Sequence, residues 1–112
     1  MRVYKDGDGV ECKAWFESAP NEPAVPLSAH WRLRCLTSGT VLQDWTELTP
    51  VEVYENGVRT GVYAIIEIDG TLNAIRDATL RRETKQLQVV AAKGTPRQRS
   101  EWYEYAIANG DY

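Results

Sequence analysis

The chain has 112 residues, 43% of them hydrophobic and 26% charged, with a formal net charge of −3. That length fits one domain able to bury a core without disulfides or metal, and that composition excludes a disordered chain. No apolar run approaches the roughly 20 residues of a membrane-spanning helix, and the opening MRVYKDGDGVECK holds no secretory h-region, so synthesis in a cytoplasm is expected.

Residues 1–9 read as a flexible, glycine-rich N-terminal segment ahead of the domain. The dominant signal after it has period two, the repeat of a strand buried on one face. In VECKAWFE (10–17), Val10, Cys12, Ala14 and Phe16 alternate with Glu11, Lys13, Trp15 and Glu17. The next stretch, SAPNEPAVPLS, carries three prolines, which cannot donate to a ladder, so a connector or broken edge is expected. HWRLRCL then places Trp31, Leu33 and Cys35 on one face, with Arg32 and Arg34 on the other, toward water. Thr37-Ser38-Gly39-Thr40 supplies a hairpin loop. TVLQDWTEL alternates poorly, because neither parity is purely apolar, and a bulge would reconcile it. Trp31 and Trp45 are expected as core anchors.

Asn56-Gly57 is a turn, since both residues tolerate positive φ, and the β-branched run from Val62 to Ile68 is a strand closed by Asp69-Gly70. TLNAIRDATLRRE reads as a loop with at most one helical turn. KQLQVVAA puts Leu87, Val89 and Ala91 on one face, Lys93-Gly94-Thr95-Pro96 turns the chain, and EWYEYAIAN aligns Tyr103, Tyr105 and Ile107. About seven short strands with turns every 8–15 residues are the pattern of a single all-β sandwich domain over 1–112. The two cysteines, Cys12 and Cys35, are expected as reduced thiols; a disulfide would need their strands to face each other across the sandwich.

No set of residues announces chemistry. The one histidine, His30, lies on the polar parity beside Arg32 without a local nucleophile or orienting carboxylate. A structural zinc site needs four Cys or His ligands, and the chain has three such residues and no CxxC pair. Asp6-Gly-Asp8-Gly with Glu11 lacks the further oxygen ligands of a calcium loop. GxxxxGK[ST], GxGxxG and GxSxG are absent, and Glu52 and Glu55 have no spacing that marks a glycosidase pair. Hence no catalytic residue, metal or cofactor is expected, and the chain is not read as an enzyme.

Charge is unevenly spread. Residues 1–75 carry a net −5, while residues 76–99 carry seven basic and two acidic groups. A basic segment can bind phosphates by counterion release. This one contains no aromatic for base stacking, so solvated charges, or an electrostatic contact with an acidic surface of another subunit, are preferred over nucleic acid. Four tryptophans and six tyrosines are many for the length. Trp15 and Trp102 fall on the polar parity of their strands; if exposed, they suit an interface. The candidate interface residues are therefore Trp15, Trp102, Arg76, Arg81, Arg82, Arg97 and Arg99.

In chain order, the Pro-rich connector, WRLRCLTSGTVLQDWTEL, the Ile-rich strand followed by NAI, ETKQLQVVAA and YEYAIAN resemble small immunoglobulin-like or fibronectin-III-like proteins. These are encoded among the virion morphogenesis genes of tailed bacteriophages, and the resemblance covers roughly residues 10–110. It implies an immunoglobulin-like β-sandwich and a virion structural role, as a head, neck or tail component, a head–tail connector or a capsid decoration. No functional residue is carried over, because the matching residues form the core. The expected partners are other virion proteins (capsid, neck or tail subunits), with many copies in one assembly, no membrane, and a virion location after synthesis in the host bacterium. The alternative is a carbohydrate- or host-surface-binding module with Trp15, Trp102 and tyrosines as a stacking platform.

Overall fold

A computed structural model describes residues 2–77 and 79–109. Among the described residues the chain forms ten strands and no helix. In chain order they are β1 (Arg2–Lys5), β2 (Val10–Trp15), β3 (Glu17–Ala19), β4 (Glu22–Pro23), β5 (Ala29–Cys35), β6 (Thr40–Glu47), β7 (Val51–Glu55), β8 (Val58–Ile68), β9 (Arg82–Ala91) and β10 (Arg99–Ala108). The expected seven are here as β2 and β5 to β10. The additional three are short: β3 and β4 make a small ribbon in the Pro-rich connector, and β1 lies in the N-terminal segment.

The larger sheet has the order β1-β10-β9-β5-β6, and a second sheet has the order β2-β8-β7. Alternation places the apolar side chains between them. Trp31 and Leu33 from β5, Leu87 from β9, Tyr105 and Ile107 from β10, and Val62, Ala64, Ile66 and Ile68 from β8 join one buried cluster. The arrangement is sandwich-like, with one core shared by two sheets. Asn56 and Gly57, at φ 52° and 79°, turn β7 into β8 as their residue types require.

Three expectations are corrected. Arg2–Lys5 is not simply a flexible segment: it pairs in parallel with the end of β10, from Arg2 beside Tyr105 to Lys5 beside Ala108. Its Tyr4 ring meets Tyr105 edge-on at 5.5 Å. Trp45 is no core anchor. The β5–β6 register shifts on either side of Leu33, which supplies the irregularity that the mixed parity required. Trp45 then lies on the outer face, with the Arg32 guanidinium 4.6 Å and the Lys93 ammonium 5.1 Å from its ring. His30 is half-buried rather than exposed, opposite Glu47 on β6.

The segment between β8 and β9 has turns and no helix among its described residues, and it is fastened from several sides. The Ile75 N–H donates to Asp6 Oδ1 (2.8 Å), and Asn73 Nδ2 donates to the Asp8 carbonyl (2.8 Å). Leu72 and Ile75 pack on the core. The loop also passes so near the β1–β2 turn that a Cβ at Gly70 would strike the Gly7 carbonyl oxygen. Backbone cannot swing aside as a flexible side chain can. Gly70→Ala should therefore cost on the order of 1–3 kcal/mol, read as a lower urea midpoint at unchanged slope. Gly9→Ala, whose Cβ would find only ordinary contact at 3.6 Å, is the control.

Candidate functional site

The three-stranded sheet does not cover the whole inner face of the five-stranded one. Where β2 ends over β9 and β10, the sheets part into a groove of about 1400 Å³. Its walls are residues that a closed sandwich would bury: Cys12 and Ala14 from β2, Val89 and Ala91 from β9, and Tyr103 from β10. All five keep solvent access, and Tyr103 is 43% exposed. The connector supplies one lip, where Val25 and Leu27 face outward and Leu27 is 76% exposed.

Four of the seven candidate interface residues meet at this groove. Trp15 and Trp102 both line it, 58% and 59% exposed. Trp15 is held in place: its ring packs on Tyr63 at 5.3 Å between centroids, over Gly61, where a Cβ would come within 2.8 Å of the indole. Lys13 lies over the other partner of that pair, 4.9 Å from the Tyr63 ring. Arg97 and Arg99 stand at the same groove, and their guanidinium groups have no ion-pair or hydrogen-bond partner among the described residues.

Arg76, Arg81 and Arg82 do not join them. Arg82 is opposite Ala108 and Arg99 opposite Ala91, so the two groups occupy opposite ends of the β9–β10 hairpin. At about 3.4 Å per residue the separation is roughly 30 Å, far beyond the screening length at physiological salt. The basic segment is therefore not one patch.

Nor is every charge in it solvated. Lys85 is fully buried with Glu83, its Nζ 3.0 Å from Glu83 Oε1. Both residues share the inward parity of Leu87, Val89 and Ala91. Lys85 also donates to the Ala74 carbonyl (3.2 Å), and Glu83 accepts from the backbone N–H groups of Arg76 (2.8 Å) and Asp77 (3.3 Å). The pair pins the 69–81 loop to the sandwich.

Five other acids are also engaged with the fold. Asp6 accepts from Ile75, Asp8 accepts from the Lys5 N–H, and Glu52 pairs with Arg59 at 2.8 Å. Asp69 and Asp77 each cap a Thr two residues on, and those hydrogen bonds lower both carboxyl pKa values. Among the described residues no group of three or more His, Cys, Asp or Glu is placed to hold a metal ion, and no helix is long and apolar enough to cross a membrane. Both cysteines are free; burial raises the Cys12 pKa, with Arg2 opposing it.

Sequence reasoning found the two tryptophans but missed Leu27 and Tyr103. Leu27 sits in the AVPLS run, where two nearby prolines break pairing and remove the parity by which a buried face is read. Tyr103 has the inward parity of Tyr105, but a strand pattern does not tell where the facing sheet stops. The chain matches no family model, no curated protein and no solved structure.

Proposed function

We propose that the chain is a non-enzymatic module of immunoglobulin-like topology that works by protein–protein contact, as a structural component of a tailed-phage virion. The strand order supports the fold reading. In the ABED/CFG plan of that fold, β2, β8 and β7 stand for B, E and D, and β5, β9 and β10 stand for C, F and G. No described strand stands at A, beside β2.

The observation that carries the contact reading is the groove itself. An exposed tyrosine lies in it, two unpaired arginines border it, and two exposed tryptophans stand at its rim on the outer parities of their strands. Trp, Tyr and Arg are the residue types that dominate binding energy at protein interfaces. The virion assignment rests on the strand-motif resemblance together with this surface. Fractionation of a phage lysate on a density gradient tests it. The chain should be recovered with DNA-filled particles at a fixed copy number; recovery in soluble fractions alone would sink the virion role.

One observation favours a second reading, a carbohydrate-binding module: the exposed Trp15 ring, held against Tyr63 at 5.3 Å, offers an aromatic face to a sugar ring. A glycan array separates the two, since a virion contact module should bind no glycan.

A further inference from the structure

Sheet edges offer unpaired N–H and C=O groups, and folded proteins guard them with bulges, charges or very short strands. Three edges here are guarded. β6 has register shifts against β5, β7 has one between Val53 and Tyr54, and β2 carries Lys13 in mid-strand. β10 differs. Its register against β9 is unbroken from Arg99 to Ala108, it contains no proline, and β1 covers it only from Tyr105 onward. Arg99 to Glu104 therefore form a regular ladder edge with no strand beside it among the described residues, next to the groove.

We propose that this segment pairs antiparallel with the same segment of a second copy of the chain, about a two-fold axis at Trp102. The proposal rests on the protein-contact reading and names its partner. The register follows from three constraints. A two-fold perpendicular to the sheet keeps each face continuous, so residues opposite each other have the same parity. β1 of each copy blocks pairing from Tyr105 on. Like charges must not face each other. Centring on Glu101 would set Glu101 against its own copy, and centring on Tyr103 leaves only the short run Trp102 to Glu104. Centring on Trp102 pairs Ser100 to Glu104 in full. Trp102 then faces Trp102, Glu101 faces the Tyr103 phenol, and Ser100 faces Glu104, an aromatic pair and two polar pairs of the favourable kind. The two five-stranded sheets become one continuous sheet, and the two grooves, on the same face of it, open toward each other across the axis.

The first measurement is sedimentation of the 112-residue chain across the micromolar range. The expected mass is twice the 12.7 kDa of one chain; a monomer throughout overturns the proposal. The second measurement fixes the register. In a Cys12→Ser background, Trp102→Cys should link to itself with a short bis-maleimide at least about tenfold faster than Ser100→Cys, whose copy lies four residues away, or about 14 Å. Equal rates overturn the register. Trp102→Lys, which sets two ammonium groups face to face at an exposed position, should raise the dimer dissociation constant at least about tenfold; an unchanged constant also overturns it. A monomeric chain that still co-purifies with particles refutes this pairing and leaves the contact reading intact. A dimer that never co-purifies does the reverse.

Discussion

Replacing Lys85 with alanine should remove about 3–5 kcal/mol of stability, because it strands the Glu83 carboxylate in the core without its counter-charge. Against the 5–15 kcal/mol typical of whole domains, that leaves little. Lys85 and Glu83 have no solvent-accessible side-chain surface, and their hydrogen bonds hold the Ala74, Arg76 and Asp77 backbone. Urea denaturation checks the figure; a loss under about 1 kcal/mol would mean that the pair is solvated like a surface bridge. The pair also sets the acid limb of stability. Burial pushes the Glu83 pKa up, but the Arg76 N–H, the Lys85 ammonium and the Asp77 N–H outweigh it, so the value is lowered on balance. A carboxyl whose pKa is lowered by folding stabilises fully above the unfolded value of about 4.3, and that contribution is lost as pH falls through the folded value. Glu83→Gln should therefore lose stability at neutral pH and show a shallower decline in acid.

Tyr105→Ala should cost about 3–5 kcal/mol, as for a large aromatic deleted from a core. Its ring is fully buried between Tyr4 and Tyr103, and its hydroxyl donates to Asn73 Oδ1 at 2.6 Å. Tyr105→Phe isolates the hydroxyl. It leaves a buried Asn73 oxygen without its donor, so about 1–3 kcal/mol should go. Burial, then the neighbouring Cys12, Tyr4 and Tyr103, push the phenol pKa well above its ordinary range. A phenol whose pKa is raised by folding stabilises fully below the unfolded value of about 10, and that contribution is lost as pH rises above it. A phenolate absorbance titration should find one of the six tyrosines un-ionised until the chain unfolds in base. A smooth titration of all six below that point would show that Tyr105 is not sealed.

Period two made most of the fold legible. Val10, Cys12 and Ala14, then Ala29, Trp31, Leu33 and Cys35, then Leu87, Val89 and Ala91 all face inward as their alternation requires. The same parity places Glu83 and Lys85 inside, but a charged side chain reads as outward until a buried partner is seen to meet it. β1 was missed because a four-residue strand beside two glycines has too few repeats to show a period. Of the site, the tryptophans were legible because polar neighbours mark their parity. The groove was not, since it depends on where one sheet ends over another. Arg76 to Arg99 are near one another along the sequence, but the ten-residue extended strand between them sets the two groups apart in space.

The parallel pairing of β1 with β10 also sets a schedule. Residue 2 has its partner at residue 105, so this contact closes almost the widest loop the chain offers. Such pairings are the slowest to form. During synthesis at about 5–20 residues per second, β1 is made well before β10 and must wait for that strand to appear. The edge that would join two copies lies on β10 as well. Assembly through it therefore has to wait until β10 is made, and until then the order in which the strands appear keeps the chain from self-association through that edge.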